Sequence, residues 1–370
     1  MPNPMRIIIA GGGTGGHIFP AIAVAQAILK LQPNAAILFV GAKGKMEMEK
    51  VPQAGFKIIG LTIAGLNRSN RLKNWNLPFK LVKSFFQVRK IFSDFKPNAV
   101  FGVGGYSSYP VLKFAQAKNI STFIHESNAF AGKSNIWLGK NASIIFTGTK
   151  GMDQFFPAEK IMITGNPVRK NIIENSISKE AALLQFGLLP SRKTLLIIGG
   201  SLGATSINKA VQESLSKFME LEIQLIWQTG KPNAHNYVQA AIGFSNVYVN
   251  SFIDNMSAAY SAADFVVSRS GAMAVAEICV TGKACVFVPY PHAAEDHQTF
   301  NAMKLVSEGA AMMVADKDVN ENLFSSIQKL VHDQALCIHM QEKIKSFAWT
   351  NADILIAEAI INKIENSNTK

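Results

Sequence analysis

Ile7-Ile8-Ile9-Ala10-Gly11-Gly12-Gly13-Thr14-Gly15-Gly16-His17 runs from an apolar stretch into a glycine-rich turn, and Pro20-Ala21-Ile22-Ala23-Val24-Ala25 continues with helical character. Strand, glycine loop and helix in that order let the backbone turn sharply and approach a ligand. The free N–H groups at the start of the helix favour an anion such as a phosphate. Gly11, Gly13 and Gly16 also satisfy G-x-G-x-x-G, a match with little force when it stands alone.

Outward from this stretch the first half alternates strand and helix signals. Strands are expected over 7–10, 36–40 and 57–61, with helices reaching about residue 31 and lying near 46–54. That alternation predicts parallel strands joined by crossover helices. A second glycine turn, Gly102-Val103-Gly104-Gly105-Tyr106-Ser107-Ser108, follows the strand over 99–103. The strand over 122–125 runs into Glu126-Ser127-Asn128-Ala129-Phe130-Ala131-Gly132. Pro167 lacks a backbone donor and biases Asn166 towards an extended conformation, so Gly165-Asn166-Pro167-Val168-Arg169 is the expected junction. The pattern then restarts with a strand over 194–198 and the turn Gly199-Gly200-Ser201-Leu202-Gly203-Ala204. The expected fold class is α/β: two Rossmann-like, doubly wound parallel-sheet domains facing a cleft. Their bounds are 1–165, with a helix over about 350–370 packing back, and 166–349.

Composition narrows the function. The chain has 370 residues, enough for two cores, with 48% hydrophobic and 17% charged residues. No window approaches the roughly 18 apolar residues of a membrane span. The opening Met1-Pro2-Asn3-Pro4-Met5-Arg6 lacks the apolar region of a secretory signal. Cys279, Cys285 and Cys337 fit no metal spacing and are odd in number, which predicts thiols in a reducing cytoplasm. Residues 1–165 hold 20 Lys or Arg against 6 Asp or Glu, and the remainder 17 against 19. A polyanionic partner for the first half follows: nucleic acid, an anionic membrane or a phosphorylated substrate.

The window 63–90 contains no acidic residue and interleaves Leu66, Trp75, Leu77 and Phe79 with Arg68, Arg71, Lys73, Lys80 and Lys83. From Pro78 onward it reads as an amphipathic helix, with Lys80, Lys83, Gln87 and Lys90 outward and Leu81, Phe85, Val88 and Phe92 inward. Such a segment can lie on an anionic bilayer without spanning it.

Chemistry is reached by elimination. A nicotinamide site needs an acid near the end of the second strand, but that strand ends Val40-Gly41-Ala42-Lys43, with Glu47 and Glu49 only in the next helical pattern. No G-x-x-x-x-G-K-[ST] occurs. Asp316-Lys317-Asp318 reads as loop charge rather than a metal pair. Nucleic-acid binding lacks a recognisable module. In the second half Ser201 suits a diphosphate, Glu277 a ribose diol, and Asp296-His297-Gln298 with Asn301 a sugar's hydroxyls.

Taken together, the glycine stretch through Pro20, Gly104-Gly105-Tyr106-Ser107, His125-Glu126-Ser127-Asn128, Gly165 to Arg169, Gly199 to Ala204 and Ser268-Arg269-Ser270-Gly271-Ala272 resemble the MurG family of glycosyltransferases, as do Glu277 and Asp296-His297-Gln298. The family usually has Gln where this chain has Ser127 and Leu202, and Thr where it has Ala274. The resemblance implies a GT-B fold and inverting transfer of N-acetylglucosamine from UDP-GlcNAc to lipid I, with no metal or other cofactor. It places Thr14, Gly15, Gly16, Asn128, Arg169, Ser201, Ile253, Ala272, Met273, Glu277, Gln298 and Asn301 at the donor, with Ile253 meeting uracil through its backbone. Gly13, Gly104, Gly105, Tyr106 and Ser107 belong to the acceptor diphosphate loops. An imidazole near neutrality suits removal of the acceptor proton, so His17 is the first candidate base and Glu126 the second. Implied partners are UDP-GlcNAc, lipid I, an anionic phospholipid surface and other cell-wall synthesis proteins, with no nucleic acid. The implied location is peripheral, on the cytoplasmic face of the bacterial inner membrane. Another GT-B transferase with a different nucleotide sugar or acceptor is the competing reading.

Overall fold

The computed structural model describes residues 4–65, 75, 77–200 and 202–368. The chain divides into two compact units, Met1–Val168 with Asn351–Lys370, and Arg169–Thr350.

Unit 1 is built on β1 (Arg6–Ala10), β2 (Ala36–Ala42), β3 (Lys57–Leu61), β4 (Ala99–Gly102), β5 (Ser121–Glu126), β6 (Ile144–Thr147) and β7 (Ile161–Ile163). All pair parallel in the order β3-β2-β1-β4-β5-β6-β7. Its helices are α1 (Gly15–Leu31), α2 (Glu47–Gln53), α3 (Leu77–Phe95), α4 (Ser108–Ala117) and α5 (Lys133–Gly139). Strand side chains alternate between two buried faces, which is why the sequence shows apolar runs and not apolar-polar alternation. Ile7 and Ile9 pack with Ile18, Val24 and Ile28 of α1, whereas Ile8 and Ala10 pack with Val88 and Phe92 of α3 and Val111 and Leu112 of α4.

Unit 2 follows the same rule, with β8 (Thr194–Ile198), β9 (Gln224–Gln228), β10 (Val247–Asn250), β11 (Phe265–Ser268), β12 (Ala284–Phe287) and β13 (Met312–Met313). They form a second parallel sheet, ordered β10-β9-β8-β11-β12-β13. Its helices are α6 (Lys170–Ile173), α7 (Lys179–Gln185), α8 (Thr205–Glu213), α9 (Leu215–Glu220), α10 (Ala234–Ala240), α11 (Met256–Ala262), α12 (Ala272–Thr281), α13 (His297–Val306), α14 (Val319–His332) and α15 (Gln334–Lys345). The chain then returns to unit 1 as α16 (Ala352–Asn368), whose Ile356, Ala357, Ile360 and Ile364 join the core beneath α1. Two doubly wound parallel sheets are thus present, as the sequence pattern implied.

One expectation needs correcting. α3 has two apolar faces, not one. Ser84, Val88, Ile91 and Phe92 are buried, while Phe79, Val82 and Phe86 are 73%, 56% and 67% exposed, with Trp75 just ahead at 76%. Phe79, Val82 and Phe86 recur at helical spacing and form an outward apolar stripe, and Leu81, expected inward, is exposed at its margin. Among the described residues no helix is long and apolar enough to cross a membrane.

Candidate functional site

In open α/β sheets a ligand lies beyond the carboxyl ends of the strands, where strand order reverses. Unit 1 reverses between β1 and β4, and unit 2 between β8 and β11. Both pairs of strands lead into glycine turns.

In unit 1 the loop after β1 ends at Thr14, which precedes α1, so Gly15, Gly16 and His17 form the first turn of that helix. The first N–H groups of a helix lack intrahelical acceptors and present a partial positive charge. His17 Nδ1 lies 3.1 Å from Gly12 O. A carbonyl oxygen only accepts, so Nδ1 carries the proton, and Nε2 of the neutral ring is the basic nitrogen. Thr14 Oγ1 lies 3.4 Å from the same Nδ1. Gly104, at φ +92°, backs the other side of the ring, where a methyl group would approach Nε2 to 3.0 Å. Gly105 abuts Gly12 O, and the loops after β1 and β4 approach too closely there for a side chain at Gly105.

The loop has an unexpected occupant. Glu47, at the start of α2 and 1% exposed, accepts from Gly13 N at 2.9 Å and from Ala42 N at 2.9 Å. The Gly13 N–H, expected to face an acceptor diphosphate, is therefore bound inside the protein. Gly15 and Gly16 remain as the first-turn donors of α1. Ser107 is buried, Ser108 Oγ donates to Gly105 O at 2.7 Å, and Tyr106 packs over Gly65. Burial and, after it, the Glu47 charge raise the Tyr106 hydroxyl above its usual range.

The second candidate base stands at the end of β5. Glu126 is 4% exposed. One carboxylate oxygen accepts from Asn128 N at 3.1 Å and Asn128 Nδ2 at 3.3 Å, the other from Gly132 N at 3.0 Å and Asn135 Nδ2 at 2.8 Å. Four donors converge on it, and the group shapes its own loop. His125 is fully enclosed, within 3.4 Å of Gly165 O through Nε2 and 3.3 Å of Ser127 Oγ through Nδ1. Burial drives its pKa down to about 4, against a weaker opposing pull from the Gly165 bond.

In unit 2, Ser201 falls outside the described residues. The turn around it is held where Gly203 lies directly on the Thr229 carbonyl, a contact that leaves no room for a side chain. Gly271 precedes α12, whose first turn presents Ala272 and Met273. One turn further, Glu277 is 7% exposed and receives Arg169 Nε and Nη2, each at 2.9 Å, and Tyr260 OH at 3.2 Å. Burial pushes the Glu277 carboxyl up, while Arg169 pulls it down.

Several expected sugar and base contacts already have partners. Gln298 Oε1 accepts from Tyr290 N at 3.0 Å, and Asn301 Nδ2 donates to Ser270 O at 3.0 Å. Ile253 N donates to Gln228 Oε1 at 3.1 Å, so the contact left on that residue's backbone is its carbonyl. Arg269 draws three loops together, donating to Val288 O, Pro289 O, Ser206 Oγ and, at 2.5 Å, to Asp316 Oδ1. Asp316 is an ion-pair partner, in keeping with its reading as loop charge. A backbone feature was missed from sequence. Glu295 and Asp296 both adopt left-handed backbone, φ +50° and +52°, immediately before α13. Such geometry costs about 1–3 kcal/mol per residue and gathers at ligand sites. Nothing in Glu295-Asp296 as letters marks it.

Residues 7–147 match the model of the glycosyltransferase family 28 N-terminal domain, and residues 194–354 that of the family's C-terminal domain. The chain is 46% identical over 372 residues to a Bacteroides thetaiotaomicron protein, covering 100% of both chains. It is 47% identical to one from Phocaeicola vulgatus, covering 97% of this chain and 96% of that one. Both carry the name UDP-N-acetylglucosamine--N-acetylmuramyl-(pentapeptide) pyrophosphoryl-undecaprenol N-acetylglucosamine transferase. Among solved structures, Acinetobacter baumannii MurG superposes with a TM-score of 0.77 at 29% identity, over 97% of this chain and 100% of that one.

Proposed function

Since the chain belongs to the MurG family of glycosyltransferases, we infer that it transfers N-acetylglucosamine from UDP-GlcNAc to lipid I, giving lipid II for peptidoglycan. Full-length identity to relatives named for this reaction carries the reading, and the site chemistry supports it.

Unit 2 holds the donor. The first turn of α12, at Ala272 and Met273, and the turn around Ser201 take the diphosphate, and Glu277 accepts from the ribose hydroxyls while Arg169 balances its charge. The Ile253 carbonyl is an acceptor for the uracil N–H, and Gln298 and Asn301 orient the sugar. Unit 1 holds the acceptor, with Gly104, Gly105, Tyr106 and Ser107 near its diphosphate, and Thr14, Gly15, Gly16 and Asn128 keep their reading as donor contacts. As the acceptor hydroxyl attacks the anomeric carbon, its proton passes to His17 Nε2 and the bond to UDP breaks with its electron pair on the diphosphate. Displacement from the face opposite UDP inverts that carbon. Helix N-termini and fixed N–H donors stabilise the leaving group, so we expect no metal requirement. Glu126 keeps Asn128 in place and is not the base.

A lipid-linked acceptor puts the enzyme at a membrane. The outward stripe of Trp75, Phe79, Val82 and Phe86 beside Lys80 and Lys83 suits the cytoplasmic leaflet. Leu66, Arg68, Arg71 and Lys73, expected to join it, lie outside the described residues, as does the Leu77 side chain.

The test is transfer of radiolabelled N-acetylglucosamine from UDP-GlcNAc to a lipid I analogue in EDTA. Wild type turns over, His17→Ala loses roughly 10²–10⁴-fold in rate while still binding donor, and Glu277→Ala loses donor binding. Turnover with another nucleotide sugar or a soluble acceptor, and none with this pair, would overturn the reading.

A further inference from the structure

We propose that Glu47 is a positioning residue for proton abstraction, acting on the His17 imidazole through the peptide group that joins Gly12 to Gly13. The inference rests on the reading of His17 as base. Gly12 O accepts from His17 Nδ1 at 3.1 Å, and Gly13 N, the other polar atom of the same peptide group, donates to Glu47 Oε2 at 2.9 Å. Imidazole, peptide and carboxylate therefore lie in one hydrogen-bonded line. Glu47 Oε1 is held by Ala42 N at the end of β2, which prevents the carboxylate from turning away. Gly12 is the only residue type that fits between them, because a methyl group there would collide with the carboxylate.

The chemistry follows from polarisation. A peptide whose N–H donates to a carboxylate places more negative charge on its own carbonyl oxygen, and charge-assisted hydrogen bonds are roughly twice as strong as neutral ones. When the acceptor O–H bond breaks, its proton goes to Nε2 and its oxygen bonds the anomeric carbon, while UDP leaves with the electron pair of the broken C–O bond. His17 is then an imidazolium. Its Nδ1–H points at an oxygen whose peptide dipole ends on Glu47, so the new positive charge is stabilised as it forms. A directly bonded carboxylate has this role in Ser-His-Asp sites. Here it stands one peptide away.

Among the described residues, the titratable groups facing this end of α1 are Glu47 from α2, Tyr106 from the loop after β4 and His125 from β5, whose proton affinity the His17 charge lowers further. Glu126, also at the end of β5, is turned into its own loop. Glu47 is the group of this set that is joined to Nδ1 through a single peptide.

Glu47→Gln keeps the shape and removes the charge. It is expected to lower kcat roughly ten- to a hundredfold, as loss of a ligand-orienting partner does elsewhere, with the KM for UDP-GlcNAc unchanged and the acid limb of the kcat–pH profile displaced to lower pH. In the wild-type protein the Gly13 amide resonance should titrate in step with the His17 ring. That second measurement decides the matter if the variant does not fold. An unmoved acid limb in a folded Glu47→Gln, or a Gly13 amide indifferent to His17, would overturn the relay and leave His17 as base. A His17→Gln variant retaining both rate and acid limb would overturn the base assignment itself.

Discussion

His125 shows what burial does to an ionisable side chain beside a site. Its pKa near 4 means that the folded protein holds it neutral where the unfolded chain, near 6.5, would already bind a proton. Between those values the unfolded state binds more protons, so stability rises with pH there and is lost on acidification. The full loss amounts to roughly 3 kcal/mol at 1.36 kcal/mol per unit. Glu277 works in the opposite direction, because a carboxyl with a raised pKa gains protons in the folded state first. Urea unfolding of wild type and His125→Asn at pH 7 and pH 4.5 separates the two. The wild type should lose about 2–3 kcal/mol more than the variant over that interval, and equal losses would show that His125 is not held neutral. The letters put His17 forward as base and His125 as structural, each beside a glycine or strand-end motif, but the enclosure that lowers the His125 pKa was not readable from them.

At the scale of the element, α3 shows where sequence periodicity stops. A helix over this stretch and its cationic side were legible, because Lys80, Lys83, Gln87 and Lys90 recur at helical spacing. Which apolar stripe faced inward was not. Phe79, Val82 and Phe86 make as good a stripe as Leu81, Phe85, Val88 and Phe92, and only docking against Val111 and Leu112 decides between them. The two stripes differ in what substitution does. Phe79→Glu with Phe86→Glu, both on the exposed face, should leave the unfolding midpoint unchanged yet abolish flotation with vesicles containing anionic lipid, and turnover of a short-chain soluble acceptor should persist. Val88→Ala should instead cost about 1–3 kcal/mol of stability through lost packing with no effect on vesicle binding. Vesicle binding that survives the double glutamate change would remove the stripe from the membrane contact. A similar limit applies to Glu126, where the motif pointed to chemistry and the four donors around it show a clamp.

At the scale of the whole molecule, the recurrence of strand, glycine loop and helix at 7–17 and again from 194 made two sheets legible, since each glycine turn must follow a buried strand and open a helix. The occupant of the first turn was not, because Glu47 is brought to Gly13 by the crossover from β2 and not by any spacing in the chain. Long-range closure is also what α16 supplies. Its Ile356, Ile360 and Ile364 are 0%, 0% and 3% exposed and lie in one core with Ile7, Ile18 and Phe39, although more than 300 residues separate them. Burial of each such side chain contributes about 1.5–3 kcal/mol, which is comparable in sum with the whole stability of an ordinary domain. The cluster around β8, β9, β11 and β12 of unit 2 draws instead on residues from Leu195 to Met340, and Ile172, Ala182, Leu183 and Ile344 are buried in the same unit. Ending the chain after Thr350 should therefore unfold unit 1 selectively. Calorimetry should show the surviving transition of unit 2, proteolysis should leave a fragment beginning near Arg169, and UDP should still raise that fragment's midpoint. Retention of a folded unit 1 in the shortened chain would mean that its sheet and its other helices suffice, and that α16 covers a core it does not hold together.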